Sequence, residues 1–176
     1  DEKLMQAYME EYNMHDRRIG RYYASELYDY LTGKLKPEEF LNPPLPNLEE
    51  LRKLYWGTIV HRGIQSLFGY KEIEYQIQIE PGILLVGKPD LELEDGTIIE
   101  IKSKEDVGIY DELPSWYTYQ VEAYMRMKDV KELKLYFIGW GLQRKLFVVK
   151  RNDEVWKRIV SGLKYYHKRV VECYRK

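Results

Sequence analysis

The alternation of apolar and polar residues changes its period along the chain and so marks the secondary structure. Between Glu72 and Glu80, isoleucine and tyrosine alternate with glutamate and glutamine, which predicts a half-buried β-strand. Further strands are predicted at 83–93, 97–102, 133–140 and 145–149, with turns at Pro81-Gly82 and Asp95-Gly96. Three strands followed by a helix and two more strands predict an α/β (α+β mixed) fold, with a central mixed β-sheet flanked by helices.

Apolar residues at helical spacing indicate the remaining elements. Helices are predicted over about 2–15, 25–33, 47–68, 115–128 and 153–174. Ser25 is the expected N-cap of the second helix, Asn47 and Glu50 fit a capping box, and Pro114 is the expected first residue of the fourth helix. Residues 42–46, Asn-Pro-Pro-Leu-Pro, predict an extended linker.

Length and composition favour a single globular domain. The chain has 176 residues, of which 44% are hydrophobic and 32% charged. No apolar run approaches the roughly 20 residues that a membrane span needs, and no signal peptide is visible, so we expect a cytoplasmic protein of a cell or of a virus-infected host, without membrane association. The single cysteine, Cys173, excludes intramolecular disulfides and metal sites built from several cysteines.

The net charge of −1 hides a segregation of charge along the chain. Residues 61–125 carry 5 basic and 13 acidic side chains, whereas residues 126–176 carry 15 basic and 5 acidic ones. An acidic middle suits a divalent cation and a basic end suits phosphate groups. Ordinary solvated faces produce the same pattern, so charge alone leaves both interpretations open.

Two carboxylates and a lysine are predicted to converge at one hairpin. Glu100 and Lys102 lie on the same face of a strand, with Ile101 turned to the core, and Asp90 lies across the hairpin from Glu100. Carboxylate oxygens, and the carbonyl of Ile101, are suitable ligands for Mg²⁺ or Mn²⁺. A lysine there would position a water molecule or screen phosphate charge. The alternative is a charged outer face of a hairpin.

Three further residues, His61, Gln120 and Tyr124, indicate a function only when they are considered together. His61 lies on the long helix before the sheet, and Gln120 and Tyr124 are four apart on one face of a later helix. Taken singly, these are a structural or solvated histidine and an amphipathic packing pair.

In their order along the chain, these residues resemble the PD-(D/E)XK nucleases of the RecB type. The matching residues are Gly57, His61, Gly87-Lys88-Pro89-Asp90, Glu100-Ile101-Lys102, Gln120 and Tyr124. Within that superfamily the chain is most similar, over about residues 20–150, to the CRISPR-associated RecB-like nucleases and their viral relatives. The resemblance implies a restriction-endonuclease-like core in a single RecB-like nuclease domain over 1–176, with a helical part at 1–56, a catalytic core at 57–150 and a basic C-terminal helix at 151–176.

The resemblance also implies a role for each matching residue. It implies hydrolysis of DNA phosphodiesters with Mg²⁺ or Mn²⁺. The implied roles are metal ligation by His61, Asp90, Glu100 and the carbonyl of Ile101, catalysis by Lys102 and the two carboxylates, and orientation of the site and contact with the nucleic acid backbone by Gln120 and Tyr124.

One feature of the CRISPR-associated branch is missing from this sequence. Members of that branch hold an iron–sulfur cluster through one cysteine after the N-terminal helix and three near the C-terminus. Here Thr32-Gly33-Lys34 stands at the first position, and Cys173 is the only cysteine in the chain. Since a cluster needs about four cysteines, we expect no iron–sulfur cluster.

Further residues are expected at the nucleic acid. Trp116 or Tyr117 is predicted to stack on an unpaired base, with core packing as the alternative. Basic residues around the last hairpin are predicted phosphate contacts, namely Arg144, Lys145, Lys150 and Arg151. We therefore expect a metal-dependent DNA nuclease acting on single-stranded DNA or DNA ends, as an endonuclease or an exonuclease. A non-catalytic nucleic-acid-binding or assembly module on the same fold, and a nuclease acting on RNA, are the alternatives. A homo-oligomer or a protein partner is left open.

Overall fold

The computed structural model describes residues 16–69, 73–101, 111–138 and 143–175, together with five residues before position 11, namely 3, 6, 7, 9 and 10. In this part of the chain, seven β-strands form two mixed sheets accompanied by four α-helices. The α/β fold class predicted from the sequence is confirmed. The helix predicted over 2–15 lies largely outside the described residues, and so do the last residues of the strands predicted over 97–102 and 133–140.

The first sheet has the strand order β1-β3-β2. Its strands are β1 (Arg21–Tyr23), β2 (Tyr75–Glu80) and β3 (Ile83–Gly87). β3 pairs antiparallel with β2 across the predicted turn and parallel with β1, where Tyr22 is paired with Leu85. The sequence did not predict β1, because three residues are too few to show an alternation.

The second sheet has the strand order β4-β5-β6-β7. Its strands are β4 (Leu91–Glu92), β5 (Ile98–Ile101), β6 (Glu132–Ile138) and β7 (Arg144–Lys150). The single strand predicted over 83–93 is wrong: it is divided between the two sheets at Lys88-Pro89, because proline has no N–H to donate to a strand partner. β5 pairs parallel with β6 and is buried along its whole length, as is usual for a strand covered on both faces.

The helices agree closely with the predicted ones. They are α1 (Leu27–Thr32), α2 (Leu48–Leu67), α3 (Ser115–Met127) and α4 (Asp153–Tyr174). The capping box of α2 is present, since Asn47 Oδ1 accepts from the N–H of Glu50 at 3.0 Å and the Glu50 carboxylate accepts from the N–H of Asn47 at 2.9 Å. Two caps differ from expectation: Ser25 lies inside a 3₁₀ turn before α1, and Pro114 is the N-cap of α3 rather than its first residue.

A cluster of aromatic rings forms the part of the core that joins β1, α1 and α4. Tyr30 stacks on Tyr166 with 4.8 Å between ring centroids, and Tyr22 lies edge-on to Tyr30 at 5.5 Å. α1 approaches α4 so closely that a Cβ added to Gly162 would lie 2.7 Å from Leu31 Cγ. α1 is therefore fixed on α4, the last helix of the chain.

A second, smaller apolar cluster holds α2 against the second sheet. Ile64 of α2 packs with Leu91 of β4 and with Ile99 and Ile101 of β5, and all four are buried. Burying an aliphatic side chain of this size contributes about 1.5–3 kcal/mol. The cluster places one face of α2 beside the connection between β3 and β4. Among the described helices, none combines the length and the apolar character needed to cross a membrane.

Candidate metal and nucleic-acid site

A cleft of about 700 Å³ opens where the chain passes from the first sheet to the second. Four of the residues that the resemblance singles out as metal ligands line it, namely His61, Asp90, Glu100 and Ile101. Three residues of α3 line it as well, namely Trp116, Tyr117 and Gln120. The structure thus brings together residues that are up to sixty positions apart in the sequence. Lys102 lies outside the described residues.

The carboxylate of Asp90 is held at the cleft by two neighbours. Asp90 lies in the short connection between β3 and β4, not inside a strand as the sequence predicted. One carboxylate oxygen, Oδ2, accepts from the N–H of Ile101 at 2.7 Å. The other, Oδ1, lies 3.4 Å from Nδ1 of His61, and the two side chains are 20% and 30% exposed. One edge of the carboxylate is thereby fixed, while the histidine and the aspartate both keep access to solvent.

Glu100 enters the cleft from a strand buried on both faces. Ile99 and Ile101 of β5 pack in the cluster beneath α2, and Ile98 packs in the main core on the other side. The alternation of a strand places Glu100 on the same side as Ile98, towards Tyr124, and its side chain is only 4% exposed. A buried carboxylate is costly unless a cation or hydrogen-bond donors accompany it, so this position favours a site where charge is neutralised.

Tyr124 and Gln120 fasten the end of β3 from α3. The hydroxyl of Tyr124 donates to the carbonyl of Lys88 at 3.2 Å and accepts from Nε2 of Gln120 at 2.9 Å. Burial and the negative charge of Glu100 hold the pKa of this hydroxyl well above its usual value, so it remains a donor at neutral pH. Its side chain is 1% exposed, and Tyr124 is not among the residues that line the cleft. The pair therefore sets the position of the segment that leads into Asp90.

Gly87 permits this contact because the ring of Tyr124 lies directly over it. A Cβ added at position 87 would stand 2.7 Å from Cε1 of Tyr124, closer than a real Cβ contact allows. The glycine that opens the Gly87-Lys88-Pro89-Asp90 motif is therefore required by the approach of α3.

The donor atoms at the cleft match a hard divalent cation in type. Carboxylate and backbone carbonyl oxygens are ligands that suit Mg²⁺ and Mn²⁺, and the imidazole nitrogen is a ligand that first-row transition metals take. In the described residues, no group of three or more His, Cys, Asp or Glu side chains is arranged closely enough to hold an ion. His61 and Asp90 are the pair in contact, and Glu100 lines the same cleft. In chemical type, these residues fit a divalent metal.

The residues predicted to contact nucleic acid divide into two groups. Trp116 lines the cleft with 45% of its side chain exposed, and the neighbouring Tyr117 packs on Phe137 with 4.9 Å between ring centroids. The basic residues lie along or just after strand β7 and do not line the cleft; they are Arg144, Lys145, Lys150 and Arg151. Of these, Arg151 pairs with Asp129 at 3.2 Å.

Sequence reasoning missed the wall of the cleft that faces α3. Ser25, Tyr28, Asp29 and Lys34 form it, from the segment around α1. Lys34 is 74% exposed on its side chain, and its ammonium lies 3.5 Å from Asp29. No local pattern indicates these residues, because the packing of α1 and of the turn before it on α3 and α4 carries them to the cleft. Gln65, by contrast, lies four residues after His61 on the same helix face, a spacing that is visible in the sequence.

Solved structures with a similar fold are known, although the chain matches no protein-family model and no curated protein. A crystal structure of SSO0001 has a TM-score of 0.65 and 18% identity, over 94% of this chain and 83% of that one. The alkaline exonuclease LHK-Exo from Laribacter hongkongensis has a TM-score of 0.55 and 15% identity, over 97% and 96% of the two chains, and LHK-Exo is also solved in complex with dAMP. A phage-related exonuclease from Haemophilus somnus 129PT has a TM-score of 0.52 and 12% identity, over 86% and 95%.

These comparisons establish the fold. The chain has the fold of these solved exonuclease structures, so the mixed α/β architecture with flanking helices that the resemblance implied is confirmed. The closer likeness to the CRISPR-associated branch stays a prediction.

Proposed function

We propose that this protein is a metal-dependent deoxyribonuclease that hydrolyses phosphodiester bonds in single-stranded DNA or at DNA ends. The observation that carries the proposal is the meeting of His61, Asp90, Glu100 and Ile101 in one cleft beside an exposed tryptophan. The names of the structures with a similar fold agree with it, since two are exonucleases and one of these binds a deoxynucleotide.

In this proposal the cleft residues divide the work by their chemistry. His61, Asp90, Glu100 and the carbonyl of Ile101 would hold Mg²⁺ or Mn²⁺, which when bound polarises a phosphate and lowers the pKa of a coordinated water. The N–H of Ile101 keeps one Asp90 oxygen in place, so the other is presented to the cleft. Lys102, the next residue along the chain, is proposed to position the attacking water. No iron–sulfur cluster takes part, because Cys173 is the only cysteine.

The cleft residues other than the proposed metal ligands are proposed to hold the DNA strand. Trp116 offers an exposed ring for stacking on an unpaired base, a contact that tolerates any base because every base has a flat face. Gln120 presents an amide, and Lys34 and Lys88 present cations, to the phosphates on either side of the scissile bond. The basic residues of β7 would contact DNA that extends beyond the cleft.

A cleavage assay with matched variants tests the proposal. Labelled linear single-stranded, linear double-stranded and circular single-stranded DNA, and an RNA strand, are each incubated with Mg²⁺, Mn²⁺ or a chelator. Wild type is compared with Asp90→Asn and Glu100→Gln, which remove one ligand charge each, and with Glu94→Gln, the same change at an exposed position outside the cleft. We expect metal-dependent cutting of DNA that both cleft variants abolish and that the control retains.

The other outcomes separate the competing functions. Cutting of the circle establishes endonuclease action, and cutting confined to linear DNA establishes exonuclease action. Preferential cutting of RNA makes the protein a ribonuclease on the same fold. If DNA is bound but is not cut with either metal, the proposal is wrong and the chain is a nucleic-acid-binding module.

A further inference from the structure

We infer that Gln65 is a positioning residue for the candidate metal site, acting through Asp90. The inference rests on the function proposed above and adds a residue that is not among those that carry the resemblance. Nε2 of Gln65 donates a hydrogen bond of 2.9 Å to the backbone carbonyl of Asp90.

The contact matters because of where Asp90 lies. Asp90 lies in the connection between β3 and β4, outside both sheets, so no neighbouring strand defines its orientation. A partly buried carbonyl in such a segment needs a donor from elsewhere in the fold, and Gln65 supplies it.

Gln65 and His61 act on the same residue from the same rigid element. They are four residues apart on α2 and therefore share one face of the helix. His61 approaches the carboxylate of Asp90, and Gln65 binds its carbonyl. With the N–H of Ile101 on the remaining carboxylate oxygen, both ends of the aspartate are fixed. Ile64, between the two helical residues, anchors α2 in the apolar cluster beneath, so the donor is itself held in place.

The consequence concerns the affinity for metal rather than the fold. Residues that orient a metal ligand through a hydrogen bond are worth about 10–100-fold in metal affinity. Gln65 has no place in the cleft lining, so it does not touch a strand bound there. Its loss should therefore weaken metal binding while the rate at saturating metal changes little.

The test compares Gln65→Met, which keeps the size and removes the donor, with Gln65→Lys, which restores one. Gln76→Met, the same change at an exposed position of β2, is the control. We expect the dissociation constant for Mn²⁺, measured by calorimetry without DNA, to rise about 10-fold in Gln65→Met and to stay within about twofold of wild type in the other two. The Mn²⁺ concentration giving half-maximal cleavage should rise in parallel.

A measurement without metal separates this inference from the proposed function. The N–H of Ile101 is bonded to the Asp90 carboxylate, so amide hydrogen exchange at Ile101 should accelerate about 10-fold in metal-free Gln65→Met and not in Gln76→Met. Unchanged exchange, with an unchanged Mn²⁺ constant, would show that Gln65 does not position Asp90. Faster exchange in a protein whose wild type binds no Mn²⁺ would confirm the positioning of Asp90 and refute the metal site.

Discussion

Replacing Gly87 by alanine should destabilise the protein and inactivate the cleft at the same time. The new Cβ would lie 2.7 Å from Cε1 and 3.1 Å from Cδ1 of Tyr124, and 3.2 Å from Sδ of Met127. The ring of Tyr124 is 1% exposed and cannot move out into solvent. Overpacking of this kind costs about 1–3 kcal/mol of unfolding free energy. In a chain of this length each kcal/mol lowers the melting temperature by about 2–4 °C.

Gly63→Ala is the matched control for this change. Gly63 lies inside α2, and a Cβ added there meets nothing within 4 Å. Alanine in the interior of a helix is about 0.5–1 kcal/mol more stable than glycine. The same one-carbon substitution should therefore stabilise the protein at position 63 and destabilise it at position 87. Urea unfolding followed by tryptophan fluorescence measures both free energies.

The second half of the prediction is the coupling between residues 87 and 124. Tyr124→Leu removes the ring atoms that the new Cβ meets, so Gly87→Ala should cost less in that background than in wild type. Cleavage should not return in the double variant, because leucine cannot donate to the carbonyl of Lys88 that leads into Asp90. Equal costs in the two backgrounds, or a Gly87→Ala protein as stable as wild type, would refute the argument that this ring sets the position of the segment.

Three other predictions follow from contacts elsewhere in the structure. Trp116→Ala should weaken binding of single-stranded DNA by about 1–3 kcal/mol, whereas Trp56→Ala, at a tryptophan that is 51% exposed outside the cleft, should leave the affinity unchanged. Fluorescence anisotropy measures both affinities, and equal effects of the two substitutions would exclude stacking at the cleft. Arg126→Met should cost about 3–5 kcal/mol in unfolding free energy, because Glu122 is 2% exposed and would lose the guanidinium 2.7 Å away. Adding Glu122→Gln should recover part of this loss, and a double variant without any recovery would count against the account. Burial, outweighing the attraction of Glu80, lowers the pKa of His167 from 6.5, so the folded state favours the neutral imidazole; the resulting stability is present above about pH 6.5 and is lost as the pH falls through the folded pKa. The melting temperature of wild type should therefore drop more between about pH 7.5 and pH 5 than that of His167→Gln, and equal drops would refute the assignment.

The helix bounds and the hairpin register were predicted well, because both depend on short-range sequence patterns. The capping box of Asn47 and Glu50 fixed the start of α2, and the bounds of α4 came from its apolar spacing and the polar residues before it. The approach of Asp90 to the end of β5 was also predictable, because the turn at Asp95-Gly96 sets the register of β4 and β5, in which the next residue, Leu91, pairs with Ile99.

What it did not predict depends on long-range packing or on a single residue. In β1, Tyr22 pairs with Leu85 in the first sheet and its ring packs in the aromatic cluster against Tyr30, and nothing near Tyr22 in the sequence indicates these long-range contacts. Pro89 divided one expected strand into two sheets, and that division creates the cleft. The wall formed by Tyr28 and Lys34 could not be predicted, because its position follows from long-range contacts with α3 and α4.

The packing of α1 on α4 also sets the order in which the protein becomes competent during synthesis. α1 leaves the ribosome early, but Tyr30 and Leu31 find their partners, Tyr166 and Gly162, only after α4 has been made. Contacts between such distant segments form late, because a long loop must close first. A nascent chain therefore carries Asp90 and Glu100 without the wall that completes their cleft. For the nuclease proposed above, this order would delay activity until translation has passed the last helix.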